Sequence, residues 1–247
     1  MENNQALREH QLRLLELLTQ FDSLCARLGI TYWLDSGTLL GAVREGGFIP
    51  WDDDVDVCIL ASDFPKIKKL LHANAEKPLA YITSKKGQTR LSPRFVDSLQ
   101  SLQRKDPLTG QPKADKLWID TLILRNGSLK AKRLIDPIYG RCLRRINGSI
   151  KDGTHKLVAA YLIFPFAWAT SRIAGFWGRI FHPDTLVHDY GVPFYSIRSK
   201  SDIFPLSKVE FEGRSFPAPH DCDAYLRKIY GNYMQRPETH TNHEILF

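Results

Sequence analysis

Four aspartates, at positions 52, 53, 54 and 56, form the densest acidic cluster of the chain. In an extended strand, side chains two residues apart project from the same face, about 6 to 7 Å apart. Charged and apolar residues alternate over Asp54–Leu60, which predicts such a strand with Asp54 and Asp56 pointing the same way. Carboxylates this close repel one another unless a cation or strong hydrogen bonds compensate them. The cluster therefore predicts a site for hard divalent cations, Mg²⁺ or alternatively Mn²⁺.

A third carboxylate indicates the chemistry that such a metal site would serve. Asp120 lies in the apolar run Leu117–Leu124, where a charge is costly without a partner, and a metal shared with Asp54 and Asp56 would be that partner. Mg²⁺ usually binds one or two protein carboxylates and completes its coordination with water and substrate phosphates. The set therefore favours phosphoryl chemistry over a structural ion. The alternative is that residues 52–56 form a solvated acidic turn without an ion.

Candidate phosphate-binding residues lie just before the acidic cluster. Gly37 and Thr38 follow a predicted strand and begin a helix, where backbone N–H groups and a hydroxyl can hold a phosphate. Arg44 lies between that helix and the acidic strand. Its forked guanidinium suits phosphate, and the alternative is an ion pair with Asp52 or Asp53.

The spacing of apolar residues predicts the elements that must position these groups. Apolar residues recur every three, four or seven positions from Ala6 to Leu28, which is typical of an amphipathic helix that ends at Gly29. Arg94, which begins one of the predicted strands, is a weaker phosphate candidate. The predicted fold class is α/β (α+β), a mixed β-sheet core flanked by helices. The other predicted elements are strands at Ile30–Leu34, Leu79–Thr83, Arg94–Asp97 and Leu117–Leu124 and helices from Ser62 to about Leu71 and from Asp221 to Tyr230.

Residues 130–182 differ in character from the rest of the chain and are predicted to form a basic, apolar helical insertion. Residues 121–200 carry 13 basic and 4 acidic side chains. The run Leu157–Ser171 has 15 residues without charge, short of the roughly 20 needed to span a bilayer, and Pro165 interrupts it. A helix pair resting on anionic lipid is one interpretation, and a buried helix of an insertion lobe or a dimer contact is the other. Residues 1–129 and 183–247 would then form one catalytic domain.

Composition and charge exclude several classes of protein. The chain has 247 residues, 43% of them hydrophobic and 25% charged, which excludes disordered and collagen-like classes. The four cysteines lie far apart without metal-binding spacing, so they are predicted to be reduced thiols. No secretory signal pattern is present, which predicts a cytoplasmic location, and the lipid-bound alternative for residues 130–182 would add peripheral contact at the inner face of the cytoplasmic membrane. The net charge of +7 comes without any nucleic-acid-binding motif, so no nucleic-acid partner is expected.

Two neighbouring motifs give the sequence a recognisable family resemblance. The segment Trp33–Arg44 reads WLDSGTLLGAVR and the segment Gly46–Val57 reads GGFIPWDDDVDV. Together they closely resemble the LicD/fukutin-type phosphotransferases of the nucleotidyltransferase superfamily. A weaker resemblance continues at Trp118–Asp120 and at Tyr225–Tyr233. The resemblance implies a nucleotidyltransferase-like fold.

The same resemblance implies an activity and its partners. Such an enzyme transfers a phospho-alcohol, typically phosphocholine, from a CDP-activated donor to a hydroxyl of a cell-surface glycan such as lipopolysaccharide, teichoic acid or capsule, and CMP leaves. The implied partners are CDP-choline or another CDP-alcohol and a glycan acceptor. Contact of residues 130–182 with a membrane would suit an acceptor glycan that is built on a lipid carrier. The family also places a histidine near the site, which makes His240 a candidate substrate-binding residue. The alternative is a nucleotidyltransferase that moves NMP from an NTP to an acceptor and releases pyrophosphate.

Individual residues take their expected roles from the resemblance as well. Asp54 and Asp56 match the paired metal ligands of the family. Asp120 matches its third carboxylate, which would bind a metal and help to deprotonate the acceptor hydroxyl. Gly37 and Thr38 would hold the donor phosphate.

Overall fold

The structure is a computed structural model that describes residues 2–63, 65–66, 79–82, 94–105, 112–146, 153–236 and 245–246. The helices in these ranges are α1 (Glu2–Leu28), α2 (Ser36–Glu45), α3 (Leu129–Ile146), α4 (Thr154–Phe181), α5 (Lys200–Ile203) and α6 (Cys222–Tyr230). The strands are β1 (Tyr32–Leu34), β2 (Asp56–Leu60), β3 (Leu79–Ile82), β4 (Arg94–Lys105), β5 (Pro112–Asn126), β6 (Thr185–His188), β7 (Ile197–Ser199), β8 (Ser207–Phe211), β9 (Arg214–Ala218) and β10 (Ile245–Leu246).

Eight of these strands form one mixed sheet with two acidic strands at its centre. Its main path is β1–β2–β5–β4–β10, in which β2 and β5 run parallel and the other pairs run antiparallel. The end of β5 also pairs with β6, which pairs with β7, and β3 pairs with β4. The strands β8 and β9 form a separate hairpin. A mixed sheet flanked by helices confirms the predicted fold class.

The amphipathic helix α1 packs its apolar stripe into the main core. Leu14, Leu18 and Phe21 are buried there. The Phe21 ring meets the rings of Tyr32 and Phe95 edge to face, with centroids 5.1 and 5.2 Å apart. These rings belong to β1 and β4, so α1 covers the sheet that carries the acidic residues. The helix predicted from periodicity is confirmed.

Several other sequence predictions are confirmed in this structure. The strands β4 and β5 form where predicted but are longer, and α6 forms with Asp221 as its N-cap, accepting from the Ala224 N–H at 2.9 Å. All four cysteines are free thiols, as expected. Most of the helix predicted from Ser62 to Leu71 lies outside the described residues.

The strand predicted for Asp54–Leu60 begins later than its pattern indicates. The strand β2 starts at Asp56, so Asp54 precedes the strand, and the projection of Asp54 and Asp56 from one face stays a prediction. The cause of the later start lies in α1, whose Gln11 side chain donates to the Asp52 carbonyl at 2.9 Å. A ring nitrogen of His10 lies 2.8 Å from the Asp53 carbonyl oxygen. These side chains occupy backbone groups that a sheet partner would otherwise take.

The segment predicted as an insertion forms two helices, α3 and α4, which pack against each other. Pro165 does not interrupt α4, which runs for 28 residues. The uncharged run of 15 residues is therefore shorter than the helix that contains it. By length and composition alone, α4 is long and apolar enough to cross a membrane. After α4 the chain returns to the sheet as β6, beside β5. The division of the chain at residues 129 and 182 stays a prediction.

Candidate active site

Asp56 and Asp120 lie side by side on the two parallel strands of the sheet. In the register of β2 and β5, Asp56 is the partner of Asp120, and the Asp120 N–H donates to the Val55 carbonyl at 2.9 Å. Neighbouring strands lie about 4.8 Å apart, and residues in register project from the same face. Two carboxylates that are far apart in sequence are therefore brought together, as a shared metal would require.

The other aspartates of the acidic cluster lie close to this pair. Carboxylate oxygens of Asp52, Asp53 and Asp54 all lie within 4.8 Å of one another. Burial, followed by the negative charges of Asp54 and Asp120, raises the pKa of Asp56 well above its usual value. Burial, the charge of Asp54 and a hydrogen bond with Asp54 raise the pKa of Asp52 to about 8. The charges of these carboxylates thus oppose one another in a small volume.

This set of oxygen donors fits a hard divalent cation. Carboxylates are ligands that Mg²⁺ and Mn²⁺ prefer, and a cation would offset the repulsion that raises the pKa values of Asp52 and Asp56. The assignment of Asp54, Asp56 and Asp120 as the residues that would hold it stays a prediction, and the carboxylates shown within 4.8 Å of one another are those of Asp52, Asp53 and Asp54. Asp52, which the sequence pattern assigns equally to an acidic turn, contacts Asp54 and so belongs to the same cluster.

The start of α2 lies against the acidic cluster. The Thr38 hydroxyl accepts from the Asp56 N–H at 2.9 Å, which ties α2 to β2. A side chain at Gly37 would place its Cβ 2.8 Å from the Asp52 carboxylate, so glycine lets that carboxylate approach the helix N-terminus. Ser36 has a φ of 48°, a strained value for a residue other than glycine. The phosphate-binding roles of Gly37 and Thr38 stay predictions.

Arg94 lies at the site but is bound to a carboxylate. Its Nε lies 2.5 Å from Asp120 Oδ1 and its Nη2 lies 3.1 Å from Asp120 Oδ2, which makes a forked ion pair between register partners on β4 and β5. The Trp118 indole donates to Asp120 Oδ2 at 3.2 Å, and the Arg94 guanidinium stacks 4.0 Å from the centroid of the Trp118 ring. This structure therefore shows Arg94 as the residue that orients Asp120, and its binding of phosphate stays a prediction.

Arg44 is held at the end of α2 by contacts with Glu45 and with the Tyr233 backbone. Its Nε lies 2.8 Å from Glu45, and its Nη1 donates to the Tyr233 carbonyl at 3.0 Å. Arg236 also pairs with Glu45 at 2.5 Å, so this group fastens the chain after α6 to the end of α2. The alternative of a pair with Asp52 or Asp53 is not what the structure shows, and phosphate binding by Arg44 stays a prediction. His240 lies outside the described residues.

Sequence reasoning missed a buried network below the acidic cluster. Asp35 has no exposed surface, and it accepts from the Tyr225 hydroxyl at 2.7 Å and from Cys58 Sγ at 3.0 Å. Burial acts to raise the pKa of Asp35, but the Arg198 charge and these hydrogen bonds outweigh it and lower that pKa. The network fixes the turn from β1 to α2. The available signal was an aspartate directly after an apolar strand.

Tyr230 is a second residue that the sequence did not single out. Burial and the negative charges of Asp35, Asp56 and Asp52 raise the pKa of its phenol, which places the ring close to the acidic cluster. Tyr230 is 43% exposed and ends α6, and a hydrogen bond with Ser36, at the start of α2, acts to lower the same pKa. The C-terminal part of the chain thus contributes to the candidate site.

The fold and the site together define a class of protein. A mixed sheet carries carboxylates on adjacent parallel strands, and a Gly-Thr helix start lies against them. This arrangement is of the nucleotidyltransferase type. Comparison with known families agrees, since residues 29–100 match the LicD/FKTN/FKRP nucleotidyltransferase domain.

Individual relatives narrow this class further. The lipopolysaccharide cholinephosphotransferase LicD of Haemophilus influenzae is 30% identical over 94% of this chain and 92% of its own length. The human ribitol 5-phosphate transferase FKRP is 49% identical over 19% of this chain and 10% of its own length. The human ribitol-5-phosphate transferase FKTN is 36% identical over 27% of this chain and 14% of its own length. The chain therefore belongs to the LicD family and is a transferase of that family.

Proposed function

We propose that this protein transfers phosphocholine, or a closely related phospho-alcohol, from a CDP-activated donor to a hydroxyl of a cell-surface glycan. The observation that carries the proposal is the juxtaposition of Asp56 and Asp120, with Asp52 and Asp54 beside them, because it concentrates oxygen donors where a diphosphate and its metal would bind. Support comes from the relative in Haemophilus influenzae, which acts on choline phosphate and lipopolysaccharide and aligns over nearly the whole chain.

A divalent cation, Mg²⁺ or Mn²⁺, is part of the proposal. Asp54, Asp56 and Asp120 would hold it, and when bound it would supply positive charge to offset the negative charge of the donor diphosphate. The forked pair with Arg94 holds the Asp120 carboxylate in one orientation, and an oxygen of Asp120 would take the proton of the acceptor hydroxyl. The first N–H groups of α2 would face the donor phosphate. The products are then the phospho-alcohol ester of the glycan and CMP.

The identity of the released nucleotide tests this function. Purified protein is incubated with CDP-choline carrying a labelled choline and with an extracted glycan acceptor, with Mg²⁺ or with EDTA. We expect equimolar CMP and labelled glycan with Mg²⁺, and neither product with EDTA. Parallel reactions use CDP-ribitol and CDP-glycerol, because the FKRP and FKTN relatives are named for ribitol 5-phosphate.

Two results would contradict the proposal. Pyrophosphate release from CTP or another NTP, without CMP from any CDP-alcohol, would favour the nucleotidyltransferase alternative, since the same carboxylates serve attack at either phosphate. Equal CMP release with EDTA and with Mg²⁺ would mean that the reaction does not require a divalent cation.

Replacing Arg94 with glutamine is expected to lower kcat about 10-fold to 100-fold, because Asp120 loses the partner that orients it. Lysine at this position should restore little activity, since an ammonium group cannot form the forked pair. The matched control is Arg27→Gln, which removes an exposed arginine from α1. If Arg94→Gln instead kept full activity and needed less Mg²⁺, Arg94 would be a competitor of the metal for Asp120.

A further inference from the structure

The side of α4 that faces away from α3 and the sheet is apolar and exposed within the described residues. Small residues such as Ala167, Gly175 and Gly178 lie on the inward side, where the helix packs closely. Only 11% of the most apolar window of α4 is buried. We call the outward side the α4 face. Its exposed apolar side chains are Val158, Tyr161, Leu162, Ile163, Phe166, Trp168, Ile173, Phe176, Trp177, Ile180 and Phe181.

A cavity of about 520 Å³ lies along one edge of the α4 face. Phe176 belongs to both the α4 face and the wall of the cavity. Four basic side chains outweigh one acidic side chain among the described residues that line it. These charged residues are Arg125, Arg172, Arg179, Lys200 and Asp189.

Arg125 is fixed at the cavity by an ion pair. Its Nη2 lies 2.6 Å from Asp189, and its Nε is buried without a hydrogen-bond partner in the described part of the chain. A Cβ at Gly175 would lie 2.8 Å from Arg125 Nη1, so α4 approaches this guanidinium closely. For Arg172 and Arg179 the described residues provide no ion-pair partner. Basic side chains outnumber the acidic one in the lining, so the cavity favours an anion, and phosphate matches guanidinium groups well.

The cavity and the acidic cluster lie at opposite ends of the same two strands. Asp56 and Asp120 are register partners at one end of the β2–β5 pair, and Leu60 and Leu124 are partners at the other end, where both line the cavity. Four residues of strand separate the two sites by about 13 Å. The basic cavity is therefore a second site, outside the acidic cluster.

Basic side chains outnumber acidic ones on the two helices that carry the α4 face. Within the described residues of α3 and α4, the one acidic side chain is Asp136, which is buried in an ion pair with Lys132 at 2.5 Å. Exposed cations of the two helices include Lys130, Arg133 and Arg141. A broad apolar face bordered by an excess of positive charge matches an anionic bilayer, which offers hydrocarbon and phosphate together.

We propose that the α4 face rests on an anionic phospholipid bilayer and that the basic cavity holds the phosphate of a lipid headgroup. The apolar side chains enter the boundary between headgroups and acyl chains, while Arg172 and Arg179 at the edge of the face meet the phosphates. This docking does not depend on the proposed transferase reaction, because vesicle binding alone tests it.

The structure favours a helix that lies on the membrane over one that spans it. Both ends of the α3–α4 pair join the same sheet, at Asn126 and Thr185, and the Asn126 side chain donates to the carbonyls of His182 and Pro183. If α4 crossed the bilayer, α3 packed along it would have to cross as well. That helix has seven charged residues among 18, which hydrocarbon would exclude.

Vesicle flotation tests the proposal with the full chain. We expect wild-type protein to float with vesicles of phosphatidylcholine and phosphatidylglycerol, to ignore vesicles of phosphatidylcholine alone, and to lose binding at high salt. The double variant Arg172→Gln/Arg179→Gln should bind about thirtyfold more weakly. The double variant Leu162→Ser/Phe166→Ser should lose at least about tenfold. The charge-matched control Arg27→Gln/Lys208→Gln changes exposed residues of α1 and β8 and should bind like wild type.

Several outcomes would overturn the proposal. The membrane proposal would be wrong if wild-type protein did not bind anionic vesicles. It would also be wrong if the control variant lost as much vesicle binding as Arg172→Gln/Arg179→Gln. A dimer in sedimentation that Leu162→Ser/Phe166→Ser dissociates, without vesicle binding, would make a second copy the occupant. Displacement of bound protein by excess glycerol 3-phosphate would assign the cavity to a soluble phosphate. Resistance to alkaline extraction from cell membranes would indicate a spanning helix.

Discussion

Asp56→Asn is expected to lower the turnover of CDP-choline by about a thousandfold or more. Asp56 faces Asp120 across the parallel strands, and the other carboxylates surround it. A cation bound among them would therefore interact strongly with the negative charge of Asp56. Asparagine has nearly the same shape but lacks the negative charge. The measurement is CMP release under saturating Mg²⁺, with Asp184→Asn as a control for an exposed aspartate outside the site.

The same variant should unfold at an equal or higher denaturant concentration when EDTA is present. Repulsion from Asp54 and Asp120, together with burial, raises the pKa of Asp56, so a neutral side chain relieves an unfavourable interaction of the metal-free fold. Lost turnover together with unchanged or higher stability is the result expected for a residue that is retained for function at a cost in stability. If Asp56→Asn kept activity within a few fold of wild type, or lost activity only because it unfolded, the carboxylate would not belong to the reaction site.

Asp35→Asn is expected to destabilise the protein by about 3 to 5 kcal/mol. Asp35 and Arg198 are both buried, and removing one charge leaves the other uncompensated inside the protein. Nε and Nη1 of Arg198 already have no hydrogen-bond partner in the described residues, so little else nearby can replace the carboxylate. The measurement is the free energy of unfolding in urea, and Asp184→Asn is again the matched control.

The pH dependence of this effect has a definite sign. The folded-state pKa of Asp35 is lowered, so its contribution to stability is fully present above the ordinary aspartate pKa of about 3.9 and is lost as the pH falls through the lower folded value. The stability difference between wild type and Asp35→Asn should therefore be constant from about pH 5 to 8 and shrink below about pH 4. A difference that shrank between pH 6 and 8 would mean that a group other than Asp35 carries the effect.

Local sequence patterns predicted most of the elements near the site. Apolar periodicity predicted α1, and the turn residues after β1 predicted the start of α2, because these features depend on neighbours a few positions away. The boundary of β2 was missed for a reason outside the segment. His10 and Gln11 of α1 hold the backbone at Asp52 and Asp53, and no pattern within residues 52–56 reports contacts made by a distant helix.

Local patterns also left undecided which acceptor each arginine near the site binds. Arg94 and Arg44 are equally suited to phosphate as residue types, yet one pairs with Asp120 and the other with Glu45 and the Tyr233 carbonyl. A guanidinium binds whichever acceptor the fold brings within reach, and strand register and helix packing decide that.

By itself, the sequence determined the chemical capability of this protein: a cluster of aspartates, a Gly-Thr helix start and motifs long enough to define its family. The tertiary structure alone decided that Asp120 faces Asp56, that Asp35 is buried beside Arg198, and that α4 leaves a wide apolar face uncovered next to a basic cavity. The physical reason is that residue types set which interactions are possible, whereas sheet register and packing between distant segments set the distances over which charges and apolar surfaces act.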